Sequence, residues 1–149
     1  MSAVGWCAIT APVASGTAKK TILQVLAAAN HALWVKQFSF SFEGTSNTAK
    51  PILCEIARQS TAGTMTSLTV AKWPADDTDE TLQVSAQHTS TGEPTTGSTV
   101  WSDYIHPQAG IDKTLPEKSW IKVGGGDRLA AIVTSEASVN CVAAMYGEE

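Results

Sequence analysis

Between residues 38 and 42 the chain reads Phe38-Ser39-Phe40-Ser41-Phe42, with a large aromatic at every second position and a small hydroxyl at each one between. Such alternation places the rings on one face and the hydroxyls on the other, the period-two signature of a half-buried antiparallel β-strand. The rest of the chain is written in the same register, and very little of it uses the residues of catalysis. A folded β-module that binds other molecules is the expectation.

Length and composition narrow this further. A chain of 149 residues with 43% hydrophobic content buries roughly two-thirds of its unfolded surface, enough for one domain without a metal or disulfide framework. Charged residues make up only 16%, against about 25% in an average soluble protein, and Thr, Ser, Gln and Asn supply the polar surface instead. Such a surface suits packing against other protein. The net charge of -4 leaves no basic stripe to neutralise phosphates, so nucleic acid is not an expected partner. Cys7, Cys54 and Cys141 are odd in number, widely spaced and free of any Cys-x-x-Cys pair, which points to buried free thiols. The first residues, Met1 to Cys7, carry no basic group ahead of a hydrophobic core, so no secretory signal is expected. No apolar run approaches the roughly 18 residues of a bilayer span. The expected setting is the cytosol, with no membrane partner.

The pattern divides the chain into an extended N-terminal arm, residues 1–18, and a single β-sandwich domain, residues 19–149. The arm is uncharged, and with Val4, Trp6 and Ile9 it is too apolar to be simply solvated. In residues 19–28 the alternation favours a strand, although Leu and Ala there also suit a short helix. Further strands are expected at 31–42, 51–58, 67–73, 81–88, 100–106, 120–123, 129–133 and 139–146. A polar turn is expected at Gly44-Thr45-Ser46-Asn47, an acidic loop at 74–80, and a loop throughout 89–99, where turn formers crowd together. Eight or nine short strands with no long helix imply an all-β, antiparallel β-sandwich, jelly-roll-like in layout.

Constellations that would carry chemistry are weak. There is no Gly-x-Ser-x-Gly, and His31, His88 and His106 fall at expected strand ends with no spacing that brings them together. Cys54 and Cys141 lie in apolar alternating runs, where a thiol is inert. Gly124-Gly125-Gly126-Asp127 lacks the Lys-Ser or Lys-Thr of a phosphate loop and reads as a hairpin. The run Asp76-Asp77-Thr78-Asp79-Glu80 lacks the spacing of a calcium loop. No catalytic residue, cofactor or metal is expected, and the chain does not read as an enzyme. Five tryptophans, Trp6, Trp34, Trp73, Trp101 and Trp120, fall in or beside separate expected strands and suit core and subunit-interface anchors; stacking on sugars is the alternative use.

Several pieces, taken in order, carry a family resemblance: Lys20-Thr21-Ile22-Leu23-Gln24, Phe40-Ser41-Phe42-Glu43-Gly44-Thr45, Lys50-Pro51-Ile52-Leu53-Cys54-Glu55 and Gln59-Ser60-Thr61-Ala62-Gly63-Thr64. They continue with Glu93-Pro94-Thr95, His106-Pro107, Gly124-Gly125-Gly126-Asp127-Arg128-Leu129 and Glu148-Glu149. From about Lys20 to its end the chain resembles the capsid decoration, or cement, proteins encoded among the head genes of tailed bacteriophages. That resemblance implies a jelly-roll-like sandwich that forms a homotrimer on the outer capsid surface of the virion and clamps neighbouring subunits of the major capsid protein. Such a protein is made in the host bacterial cytoplasm. Candidate capsid- or subunit-interface residues are Val4, Trp6, Ile9, Trp34, Trp101 and Trp120. Removal of residues 1–18 is expected to leave a folded protein that no longer docks. The alternative is a receptor- or glycan-binding module of a phage tail or fibre, with Trp34, Trp73 and Trp101 as stacking platforms.

Overall fold

In the computed structural model, which describes residues 4–43, 50–73 and 80–149, the aromatic alternation lies within an eleven-residue strand, Leu33–Glu43. Thirteen strands occur among the described residues. In chain order they are β1 (Gly5–Ile9), β2 (Val13–Ala14), β3 (Lys20–Leu26), β4 (Leu33–Glu43), β5 (Ile52–Gln59), β6 (Thr64–Leu68) and β7 (Ala71–Lys72). Then come β8 (Ser85–Gly92), β9 (Thr96–Ile105), β10 (Ile111–Thr114), β11 (Ile121–Val123), β12 (Arg128–Thr134) and β13 (Asn140–Glu148), with one 3-10 turn at Glu117–Ser119. All pairings are antiparallel. One sheet has seven strands in the order β10-β4-β13-β1-β7, with β11 also on β4 and β2 also on β13; the other has six, in the order β6-β8-β3-β12-β5-β9.

The two sheets pack as a sandwich. Alternation along β4, broken by a register shift against β13, turns Leu33, Val35, Phe38 and Phe40 inward. Opposite them the six-stranded sheet contributes Leu23, Val25, Ile52, Ile56, Leu129 and Val133. Trp101 of β9 rests on two of these rings, 4.8 Å from Phe38 and 6.1 Å from Phe40 by ring centroids. Aromatic pairs of this kind add about 0.5–1.5 kcal/mol beyond the area they bury. The strand order establishes the sandwich, and does not establish the eight strands of a jelly roll.

Several sequence expectations change. Residues 5–9 are extended, but they are not an arm: β1 lies inside the seven-stranded sheet, between β13 and β7, and β2 adds a further pairing to β13. Trp6 is 0% exposed within the core, an outcome favoured by roughly 1.5–3 kcal/mol for a large apolar side chain. Its partner in register is Gly147, where a Cβ would meet the Trp34 carbonyl and the Trp6 ring; only glycine allows the close approach. The strand expected at 67–73 is two, β6 and β7, in different sheets. The region 89–99 is mostly strand, because its threonines suit a pleated surface and only residues 93–95 turn. Gly124–Asp127 is a turn but not a hairpin, since β11 and β12 lie in different sheets; Gly126 alone there has positive φ, +82°. The turn expected at 44–47 and the acidic residues 76–79 lie outside the described residues.

Because β1 is internal to its sheet, removing residues 1–18 should abolish folding instead of leaving a folded core. Trp6→Ala should cost about 3–5 kcal/mol, the range for emptying a large aromatic site. Denaturant unfolding followed by circular dichroism checks both; a truncated chain that unfolds cooperatively at the native midpoint would overturn them.

Candidate interaction surfaces

The two sheets expose very different outer faces. On the six-stranded sheet, Ala57, Ala130 and Ile132 form a small buried floor. Two links cross over that side. Residues 60–63 connect β5 to β6, and residues 93–95 connect β8 to β9, although each pair of strands is separated across the sheet. The links lie alongside each other: the Ser60 amide donates to the Thr95 carbonyl at 3.0 Å, and the Thr95 amide to Thr61 Oγ1 at 2.8 Å. Gly63 has φ +59°, and a Cβ on it would meet the Gly92 carbonyl, so its lack of a side chain lets the two links close together.

Beneath this strap the polar side chains satisfy one another. Gln24 Nε2 donates to Gln59 Oε1 at 2.7 Å and to the Thr61 carbonyl at 2.9 Å. Gln24 Oε1 accepts from Gln87 Nε2 at 2.6 Å and Arg128 Nη1 at 3.0 Å. Gln59 Nε2 donates to Thr21 Oγ1, and the Glu93 carboxylate accepts from the Thr21 amide, Thr21 Oγ1 and Ser90 Oγ. The pieces 20–24, 59–64, 93–95 and 128 are thus one network. A buried polar group is costly only when unpaired, and Gln24 uses all its donors and acceptors. Gln24→Leu should therefore destabilise by about 3 kcal/mol, since it strands several partners at once, among them an Arg. Thr96→Val, which removes one marginal contact, should cost about 1 kcal/mol. Equal losses in urea titrations would refute a cooperative network.

Among the described residues the seven-stranded sheet has no such roof. Alternation places Cys7 and Ile9 of β1, and Val142, Ala144 and Tyr146 of β13, on its outer face, because their neighbours Trp6, Ala8, Ala143 and Met145 face the core. Ile9 is 47% exposed, Trp73 44% and Trp34 37%. The rings of Trp73 and Tyr146 lie 5.0 Å apart. At the other side of this face, Lys122 Nζ stands 5.5 Å over Trp34, and Lys36 Nζ stands 4.2 Å over Trp120 and 2.5 Å from Glu148 Oε2. The centre of the face is uncharged and partly apolar.

The six interface candidates therefore separate. Ile9 and Trp34 lie exposed on this outer face, and Val4 is half-buried beside Glu149, with which it exchanges both backbone hydrogen bonds. Trp120 is half-buried, its Nε1 donating to the Leu115 carbonyl at 3.1 Å. Trp6 is enclosed and Trp101 faces the opposite sheet, so both serve the core. Tyr146, Tyr104 and Val100 were not singled out by sequence reasoning, yet Tyr146 completes the Trp73 pair and the other two are exposed. The only available signal was their place in strands of almost uncharged residues.

Groups with chemical potential are dispersed. His31 is exposed, His88 lies within β8 instead of at a strand end with Nδ1 2.7 Å from Thr89 Oγ1, and the His106 ring accepts from the Gln108 amide at 3.2 Å. Among the described residues no three His, Cys, Asp or Glu side chains gather as metal ligands. A hollow of about 240 Å³ beside the exposed Lys50–Glu136 ion pair is lined by Ile52, Pro107 and Val139. Comparison with protein-family models, curated proteins and solved structures found no match to this chain.

All three cysteines are free and buried. Burial pushes the thiols of Cys54 and Cys141 up from 9.0 to about 12; Cys141, Asp103 and Glu55 add to the effect at Cys54. In the unfolded chain the same thiols ionise at the ordinary value, so between 9.0 and about 12 the unfolded state holds fewer protons. Stability should accordingly fall as pH rises through that window. Cys54→Ala should flatten the decline, measured by urea midpoints at successive pH values; an unchanged slope would contradict a buried neutral thiol.

Proposed function

We propose that this chain is a structural virion protein that decorates the outer surface of a phage capsid and reinforces contacts between major capsid subunits. The observation that carries this is the contrast between the two outer faces. One is closed by a strap over a satisfied polar network. The other leaves Ile9, Trp73 and Trp34 in water around an uncharged centre. Exposed apolar side chains grouped on one face are a feature of protein docking surfaces, where aromatic anchors contribute most of the affinity. The low charge of the chain supports the same use, because hydroxyl and amide surfaces are less costly to desolvate than ionised ones. The resemblance carried by residues 20–24, 40–45, 50–55, 59–64, 93–95, 106–107, 124–129 and 148–149 adds the phage capsid as the partner.

Purified virions should contain this chain in numbers comparable to the major capsid protein, read by gel densitometry. Only a few copies per particle would sink the proposal. On capsids lacking the protein, Ile9→Lys and Trp73→Ala should each weaken rebinding by about 2 kcal/mol, roughly thirtyfold, if these side chains are anchors.

A receptor- or glycan-binding role in a tail or fibre is the second reading, favoured by the exposed Trp73 ring against Tyr146. It loses Trp101 as a platform, since that ring lies against Phe38. Saturable quenching of tryptophan fluorescence by a sugar, abolished in Trp73→Ala, would favour it over capsid decoration.

A further inference from the structure

A hollow of about 140 Å³ opens on the outer face of the six-stranded sheet, beside the strap. Leu23, Val25 and Leu129 turn into the core, so Gln24, Leu26 and Arg128 turn outward. Strand register then sets two rows side by side. Arg128, Leu26 and Ser85 run across β12, β3 and β8, and Gln24, Gln87 and Ser67 run across β3, β8 and β6. All six line the hollow, Arg128 is its one cation, and among the described residues no Lys, Asp or Glu joins it. Arg128 is half-buried, and its Nη1 donates at 3.0 Å to Oε1 of Gln24, which is 1% exposed. A guanidinium carries five N–H donors. Among the described residues Gln24 is the only partner Arg128 has, and no carboxylate neutralises it. The amide hydrogens nearby are already taken: those of Gln24 by Gln59 and the Thr61 carbonyl, those of Gln87 by Gln24 and the Ala62 carbonyl at 2.8 Å. Left without a partner among the described residues are the other Arg128 donors, the Ser67 and Ser85 hydroxyls, and Gln87 Oε1.

We propose that this hollow binds a small carboxylate that carries a hydroxyl or N–H beside the charged group. The planar fork of a guanidinium matches the two oxygens of a carboxylate, and Gln24 holds that fork at the wall of the hollow. A lone cation balances a single negative charge, which favours a carboxylate over a phosphate dianion. The donor beside the carboxylate would meet Gln87 Oε1, and Leu26 offers an apolar wall to a methyl group. An ammonium in that place would be repelled by Arg128, so a free α-amino acid fits poorly. Two sources share the required chemistry. One is a free α-hydroxy acid, and the other is the carboxyl-terminal residue of another chain, whose last N–H lies next to its carboxylate. The site is on the sheet opposite the apolar face and does not depend on the capsid proposal.

Titration of the isotope-labelled full chain with lactate at neutral pH, followed by NMR, should move the Arg128 Nε–H signal and the Gln24 and Gln87 side-chain amide signals to saturation. A dissociation constant of about 1–10 mM is expected for so small a ligand. Lactamide, which keeps the shape and loses the charge, should move none of them up to about 100 mM. Ser85→Glu brings a carboxylate toward Arg128 from across Leu26; it should weaken lactate binding about tenfold without lowering the melting temperature. Arg128→Lys keeps the charge and loses the fork, and should weaken lactate binding by a similar factor while the circular dichroism spectrum stays native. Acetyl-alanine stands for a chain end: binding tighter than that of lactate assigns the site to the terminus of a partner chain, and weaker binding assigns it to a free hydroxy acid. No saturable shift with either acid, equal shifts with lactamide, or lactate binding that neither substitution weakens would each overturn the proposal, whatever the outcome of capsid-binding experiments.

Discussion

The seven-stranded sheet depends on the position of β13. This last strand pairs along nearly its whole length with β4 on one side, and with β1 and β2 on the other. The first and last described residues therefore meet in the middle of a sheet, where Val4 and Glu149 exchange backbone hydrogen bonds. The Glu149 carboxylate adds a tie, accepting the amides of Gln83 and Val84. Until β13 is in place, β1 has no described strand neighbour except the two-residue β7, and β4 lacks its neighbour on that side. Contacts between residues so far apart in sequence close large loops before they gain stability, which makes folding slow and cooperative. The same constraint explains why an apolar, uncharged N-terminal segment is not free: Trp6 and Ala8 complete the core that β13 opens.

The contrast between the outer faces follows from how the connections run. In the six-stranded sheet, β5 must reach β6 and β8 must reach β9 across intervening strands, and short links can do so only by passing over the sheet. Passing close requires a floor of small side chains, which Ala57 and Ala130 provide, and a glycine at Gly63. It also buries amide side chains, so each must find partners, and Gln24 and Gln59 do. The outer face of the seven-stranded sheet carries no crossing of this kind among the described residues. Its apolar side chains stay at the surface because no described segment of the chain covers them.

The legible parts of the fold were those where a single strand states its own environment. Phe38 and Phe40 alternate with serines, and both are buried; β5, β12 and β13 are also largely apolar and were expected within a few residues of where they lie. What was not legible depends on partners distant in sequence. Nothing within Met1–Ala18 says that Gly147 leaves room for Trp6. Thr89–Thr99 reads as loop because Gly and Pro mark turns, but Thr96 and Thr99 find strand partners in β5, and Gly92 finds one in β6. The polar network is invisible for the same reason: nothing beside Gln24, Gln59 or Glu93 in the sequence names the partners that the strap brings to them. Among the tryptophans, the sequence offered no means of telling Trp101, which faces inward, from Trp34, which faces water.

The apolar outer face lies on the seven-stranded sheet, around β1 and β13, whereas the strap and its polar network lie on the six-stranded sheet. A partner seated on Ile9 and Trp73 would meet side chains and would leave the buried network and the aromatic core untouched. Substitutions at these exposed positions can be separated from those that disturb the fold, because Ile9 and Trp73 project away from the core that Trp6, Phe38 and Phe40 fill. Among the described residues this separation follows from topology: the links that close one face run over the six-stranded sheet, and none crosses the outer face of the other.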